Sequence, residues 1–184
     1  MFSISAAAAL ALMLPVSGHA QNAQPKPPAA GNAEPKAPAP AAQPKSMKEA
    51  IVGTWSLLID DAVKPDGTRT PNFGPNPIGL AMFAPDGHFS VAITRAGRPK
   101  FASNNRATGT ADENKAVVAG SNAFFGTYAV NEGDKTLTLR VEGSTYPNLE
   151  GTTQKRTITS LTASDELTWT NPATHGEVAW KWVK

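Results

Sequence analysis

The 184-residue chain has no cysteine, which removes disulfide frameworks, thiolate metal sites, catalytic thiols and lipid attachment through an N-terminal cysteine. Its formal charge of +2 comes from the N-terminal stretch: fourteen basic residues meet fourteen acidic ones after Ser46, and the surplus is Lys26, Lys36 and Lys45 against Glu34. A near-neutral folded part has no field to gather phosphates, which speaks against nucleic acid as a partner.

Residues 5–16 are an Ala/Leu-rich apolar run broken at Pro15, and Gly18-His19-Ala20 sets small residues where a signal peptidase reads. Residues 1–20 are therefore read as an export signal cut after Ala20, with the periplasm or secretion as destination. An uncleaved anchor is the alternative, but an apolar run of about 13 residues is short of the ~20 that cross a bilayer, so no membrane span is expected. Residues 21–46 carry Pro25, Pro27, Pro28, Pro35, Pro38, Pro40 and Pro44 among Ala, Gln and spaced lysines. This is the composition of a disordered, semi-stiff Pro/Ala-rich linker. Its lysines could make weak contact with anionic envelope polymers; the alternative is a solvated spacer without a partner.

A folded domain is expected over residues 47–184. Ser46-x-x-Glu49 has the form of a capping box for one helical turn through Ile51. Strands are then expected at 54–60, 79–83 and 88–95, the last two joined by the tight-turn signal Pro85-Asp86-Gly87. Thr110-x-x-Glu113 opens a short helix that Gly120 stops. Further strands follow at 123–130, 136–144, 153–160, 166–170 and 177–183. The expectation is an all-β, eight-stranded antiparallel up-and-down barrel with one short helix in the connection between the third and fourth strands.

Alternation places Trp55, Leu57, Ile59, Leu80, Met82, Phe89, Val91, Ile93, Phe124, Tyr128 and Val130 inside, with Leu137, Leu139, Val141, Ile158, Leu167, Trp169, Val178, Trp180 and Trp182. Polar outside and apolar inside describes a barrel in water; a membrane barrel would invert the pattern.

The runs Asp66-Gly67-Thr68, Phe73-Gly74-Pro75-Asn76-Pro77-x-Gly79, Pro85-Asp86-Gly87 and Gly97-Arg98-Pro99-x-Phe101-Ala102-Ser103 follow one another along the chain. Phe125-Gly126-Thr127-Tyr128 and Val141-Glu142-Gly143-Ser144-x-x-Pro147-Asn148 continue the series. In this order they resemble the bacterial and fungal lipocalin-like domain family over roughly Ile51 to Val183. The resemblance implies a calycin-type barrel and no single activity, since some members resemble accessory proteins or cyclases of small-molecule pathways. It also implies an Arg near the end of the last strand, stacked over the first-strand Trp. Here Trp182 stands at about that place, with Lys181 or Lys184 as the neighbouring cation.

No Gly-x-Ser-x-Gly motif is present, His19 lies in the export signal, and His88 and His175 sit at turns without a carboxylate or second histidine at metal-ligand spacing. Asp60-Asp61 reads as a surface feature of a strand end. The informative residues are polar ones on the apolar parity: Arg95 beyond Ile93, Gln154 and Arg156 beside Ile158, and Tyr128 after Phe124 and Gly126. A guanidinium aimed into a barrel is costly unless paired or solvated, and its planar fork of donors suits a carboxylate or carbonyl. Arg95, Tyr128, Gln154 and Arg156 are therefore the candidate ligand-binding residues. The bland alternatives are a rim position for Arg95, a cross-strand acid for Arg156 and a backbone carbonyl for Tyr128.

The leading expectation is an exported protein that binds a small hydrophobic ligand with an acidic or carbonyl end in its lumen, without a cofactor or metal. The alternatives are a cofactor-free isomerase or cyclase using Arg and Tyr donors, and a non-catalytic envelope module with a filled barrel. Binding ranks ahead of catalysis.

Overall fold

A computed structural model describes residues 46–162 and 165–183. The export signal and nearly all of the Pro/Ala-rich linker read from the sequence lie outside the described residues. Helix α1 (Met47–Ile51) opens the domain, with both halves of the Ser46–Glu49 capping box formed. The strands are β1 (Gly53–Val63), β2 (Arg69–Pro71), β3 (Ile78–Phe83), β4 (His88–Thr94), β5 (Ser121–Asn131), β6 (Thr136–Ser144), β7 (Thr153–Thr162), β8 (Glu166–Thr170) and β9 (Glu177–Trp182). Helix α2 (Ala111–Ala119) lies in the connection between β4 and β5.

Every pairing is antiparallel between strands in meander order, and β9 returns to pair with β1, closing eight strands into a barrel. The ninth strand, β2, was not anticipated. It adds to the outer end of β1, where Asp61, Ala62 and Val63 face Pro71, Thr70 and Arg69. Arg69 fastens it by a two-pronged contact with Glu177 at 3.0 Å on each prong, and approaches Asp61 at 3.6 Å. This clamp crosses β2, β1 and β9 at one end of the barrel.

The inward set matches the alternation in most strands: Phe89, Val91 and Ile93 of β4, Leu137, Leu139 and Val141 of β6, and Leu167 and Trp169 of β8 are all buried. Two strands depart from it. In β3 the inward residues are Gly79, Ala81 and Phe83, while Leu80 and Met82, expected inside, are 47% and 49% exposed. Register explains the reversal. Ala81 stands opposite both Trp55 and Val91, and Gly79 stands opposite Ile93 and against Leu57, so these large side chains leave room only for small residues at 79 and 81, while Phe83 stacks on Phe89. A Cβ on Gly79 would already lie 3.1 Å from the Leu57 Cβ.

The second departure is a bulge in β1. Leu57 pairs with Trp180 and Ile59 with Ala179, so Leu58 is an extra residue turned outward and the inward parity switches from odd to even. Ile59, expected inside, is displaced, and Asp60 opposite Val178 takes the inward place.

One end of the barrel is solid. Ile51 of α1 is fully buried and accepts a 2.8 Å hydrogen bond from the Trp55 indole, a ring only 1% exposed. Phe83 packs edge-on to Tyr128 at 5.1 Å and to Trp169 at 6.3 Å, and Trp169 meets Trp180 at 5.4 Å. These aromatic contacts fill the lumen from the α1 end upward, and a cavity opens towards the other end.

Candidate functional site

The end opposite α1 gathers the second half of β1, the start of β5 and β7, the end of β8 and the start of β9. The bulge brings Asp60 in. Gln154 and Arg156 of β7 stand opposite Leu139 and Leu137, both buried, so pleat parity aims them at the lumen as well. A cavity of about 150 Å³ results. Its apolar wall is Ile93, Phe124, Leu139, Trp169, Val178 and Trp180; its polar side is Asp60, Asn72, Asn122, Arg156, Asn171 and Thr174.

Asp60 is held by Asn72, whose side-chain Nδ2 donates to Oδ1 at 2.8 Å and whose backbone N–H donates to the Asp60 carbonyl at 2.9 Å. Burial raises the Asp60 pKa above the ordinary aspartate value. The Asn72 hydrogen bond opposes that rise, the Asp61 charge adds to it, and the Arg156 charge opposes it. Arg156 shows the mirror effect: burial lowers its pKa and the Asp60 charge raises it. The two groups feel each other, yet among the described residues they form no direct ion pair. The Arg156 guanidinium is steadied by the Lys155 carbonyl at 2.9 Å and the Gln154 Oε1 at 3.3 Å, while the Gln154 amide donates to Thr152 Oγ1 at 3.0 Å.

Two residues of the cavity lining carry polar atoms, Asn122 Oδ1 and Trp180 Nε1, that are buried with no hydrogen-bond partner among the described residues. Beside it, Phe73, Val117, Val118, Ala119 and Tyr146 wall an outer vestibule of about 330 Å³ under α2, and Asn122 borders both spaces.

The four residues singled out from the sequence separate. Arg156 lines the cavity. Gln154 positions it and borders a wider outer depression with Asn171 and Thr174. Arg95 is exposed on the rim and donates at 3.4 Å to the Asn72 carbonyl, so it reaches the site through the residue that holds Asp60. Tyr128 stands at the α1 end, its hydroxyl donating to the Ala84 carbonyl at 2.8 Å. The convergence of Arg and Tyr donors on one ligand carbonyl, on which the isomerase alternative rested, is not the arrangement found.

Asp60, Asn72, Asn122 and Trp180 were missed. The signal for Asp60 was present: Leu57-Leu58-Ile59 is three apolar residues running where alternation demands a polar one, the mark of an inserted residue. His88 contacts Asp86 at 3.1 Å on the surface. Among the described residues no group of three His, Asp or Glu side chains is arranged to hold a metal ion, and no helix is long and apolar enough to cross a membrane.

A closed eight-stranded meander, solid at one end and holding a mixed polar and apolar cavity at the other, is a barrel of the calycin type. Residues 52–183 match the lipocalin-like domain family, and the chain belongs to it. No curated protein matches the chain at a significant level.

Proposed function

We propose that the barrel binds a small molecule at its open end, with a carbonyl or acidic group on Arg156 and an apolar body against Ile93, Phe124, Leu139 and Val178. The observation that carries this reading is the lumen cavity itself, lined by a desolvated guanidinium, an apolar wall and two residues, Asn122 and Trp180, each with a polar atom that has no hydrogen-bond partner among the described residues. Buried polar groups are almost always paired, so unpaired ones in the lining of a cavity favour a bound partner there. The export signal and linker expected from the sequence would place this binding domain in the periplasm or outside the cell, on a tether.

Native mass spectrometry of the protein purified without detergent from its own cells tests the reading. An adduct that is retained by the wild type and lost from Arg156→Met is the expected result. A wild-type protein that carries no adduct, and does not enhance the fluorescence of an apolar dye, would count against a binding role.

A further inference from the structure

The binding reading leaves open what kind of head group the lumen accepts, and four of the polar groups on the residues that line the cavity narrow that choice. Arg156 and the Trp180 indole can only donate; the Asp60 carboxylate and Asn122 Oδ1 accept. Asn72 occupies Asp60 Oδ1, which leaves the other carboxylate oxygen for a donor from elsewhere. The charges cancel: Arg156 offsets Asp60 inside, and at the rim Arg69 and Arg95 offset Asp61 and Glu177.

A carboxylate ligand on Arg156 would bring a second negative charge towards Asp60, whose pKa burial already raises. An ammonium on Asp60 would face Arg156. Neither ion is matched by a desolvated site that already contains one charge of each sign. A neutral group with a donor and an acceptor on neighbouring atoms is matched on both sides. Size limits it too, since a cavity of about 150 Å³ takes a molecule of roughly benzene size. Anything longer has to leave it, either past Arg156, Asn171 and Thr174 towards a depression edged by Thr153, Gln154 and Lys155, or past Asn122 towards the vestibule of Phe73, Val117, Val118 and Tyr146, which is the more apolar of the two.

We propose that the lumen selects a neutral amphiphile whose ring-sized head carries adjacent hydrogen-bond donor and acceptor atoms, as a lactam does, and whose apolar tail lies in the vestibule under α2. This rests on the binding reading above and narrows it, setting the neutral carbonyl compound above the apolar acid.

The test uses the purified protein and three probes sharing one hexyl chain: a hexyl-substituted piperidinone, a hexyl-substituted cyclohexanecarboxylate and a hexyl-substituted cyclohexylamine. Calorimetry and tryptophan fluorescence, with Trp169 and Trp180 as reporters, give their affinities. The lactam is expected to bind at least about tenfold more tightly than either ion. Asp60→Asn keeps an oxygen for Asn72 and leaves the site cationic, so it should shift the carboxylate-to-lactam preference about tenfold or more towards the carboxylate.

Three results would overturn the inference: a wild type that takes the carboxylate or the amine as well as the lactam, a preference that Asp60→Asn leaves unchanged, or no binding by any probe. An adduct in native mass spectrometry alongside any of these removes the head-group class alone. No adduct and no probe binding removes the lumen reading as well.

Discussion

Trp182 lies edge-on to Trp55, ring centroids 4.9 Å apart and planes at 83°, where the family resemblance led to the expectation of a stacked cation. In such a pair the electropositive edge of one ring meets the electron-rich face of the other, so the two indoles satisfy each other where a guanidinium would otherwise stack. The arrangement has a condition in the sequence. Gly53 has a φ of +143°, and a Cβ there would run into the Trp182 ring. Gly53→Ala is therefore expected to cost about 2–3 kcal/mol through both overpacking and backbone strain. In a Trp182→Ala background the cost should fall, leaving mainly the backbone part. Denaturant unfolding of the four proteins in a double-mutant cycle measures the coupling, and an unchanged cost would remove the steric part of this account.

The buried carboxylate makes stability depend on pH in a direction that can be worked out. Folding raises the Asp60 pKa, chiefly by burial, so the folded state holds the proton more tightly than the unfolded chain. The resulting stabilisation is complete below the unfolded pKa and is lost as pH rises through the raised folded value. Asp60→Asn keeps an acceptor for Asn72 and removes the ionisation. It should therefore gain in Tm relative to the wild type as pH rises through that window, and keep the gain at neutral pH. Arg156→Met removes the one charge that holds the Asp60 pKa down from across the lumen, so its window should extend to higher pH. Thermal unfolding from acid to neutral pH checks both, and parallel Tm curves for wild type and Asp60→Asn would contradict the buried position of this group.

Strand β3 provides a direct comparison between alternation and register. Leu80 and Met82 are half-exposed while Ala81 is fully buried. Leu80→Thr and Met82→Thr should each change stability by less than about 0.5 kcal/mol, as surface substitutions do. Ala81→Leu should cost about 1–3 kcal/mol, because the space beside Trp55 and Val91 is filled. Chemical denaturation ranks the three, and the opposite ranking would restore the inward assignment of Leu80 and Met82.

The same strand shows what the sequence could reveal and what it could not. Where an apolar residue alternates with a polar one, as in Phe89-Ser90-Val91 or Leu137-Thr138-Leu139, the pattern identifies the buried face and the observed burial agrees. In Ile78-Gly79-Leu80-Ala81-Met82-Phe83 both parities are free of polar side chains, with Ile78, Leu80 and Met82 on one and Gly79, Ala81 and Phe83 on the other. Which parity is buried then depends on what the neighbouring strands bring, and that is a matter of register across the sheet rather than of local pattern. The site was legible to a similar degree. Arg156 could be read because β7 keeps its period up to that residue, whereas Asp60 was hidden by one inserted residue in β1. Trp180 was correctly placed inside, but that its indole N–H has no partner among the described residues follows from three-dimensional surroundings that no local motif encodes.

Helix α2 has a different dependence on its sequence from the barrel, because none of its residues is buried. Its last turn is tied to the barrel through Ser121 Oγ, which donates to the Val117 carbonyl at 2.6 Å, and its first turn is held by a capping box and the preceding loop. Glu113 donates its backbone N–H to Thr110 Oγ1 at 3.3 Å, and the Glu113 carboxylate accepts from the Thr110 N–H at 2.8 Å and from the Ala102 N–H at 2.7 Å. Those backbone donors hold the Glu113 pKa below the ordinary glutamate value, so its contribution is present above the unfolded pKa and is lost as pH falls through the folded one. Thr110→Ala should remove about 1 kcal/mol from the helix, which corresponds to roughly fivefold faster amide exchange at residues 114–119. Acidification of the wild type should weaken the same amides. The barrel amides and the global Tm should scarcely move, since no core contact is lost. Because Val117 and Val118 wall the vestibule, the variant should also admit and release a ligand of the proposed lumen site faster. A fall in global stability equal to the local one would instead make α2 part of the barrel's cooperative unit, and a helix so joined could not open as a separate cover.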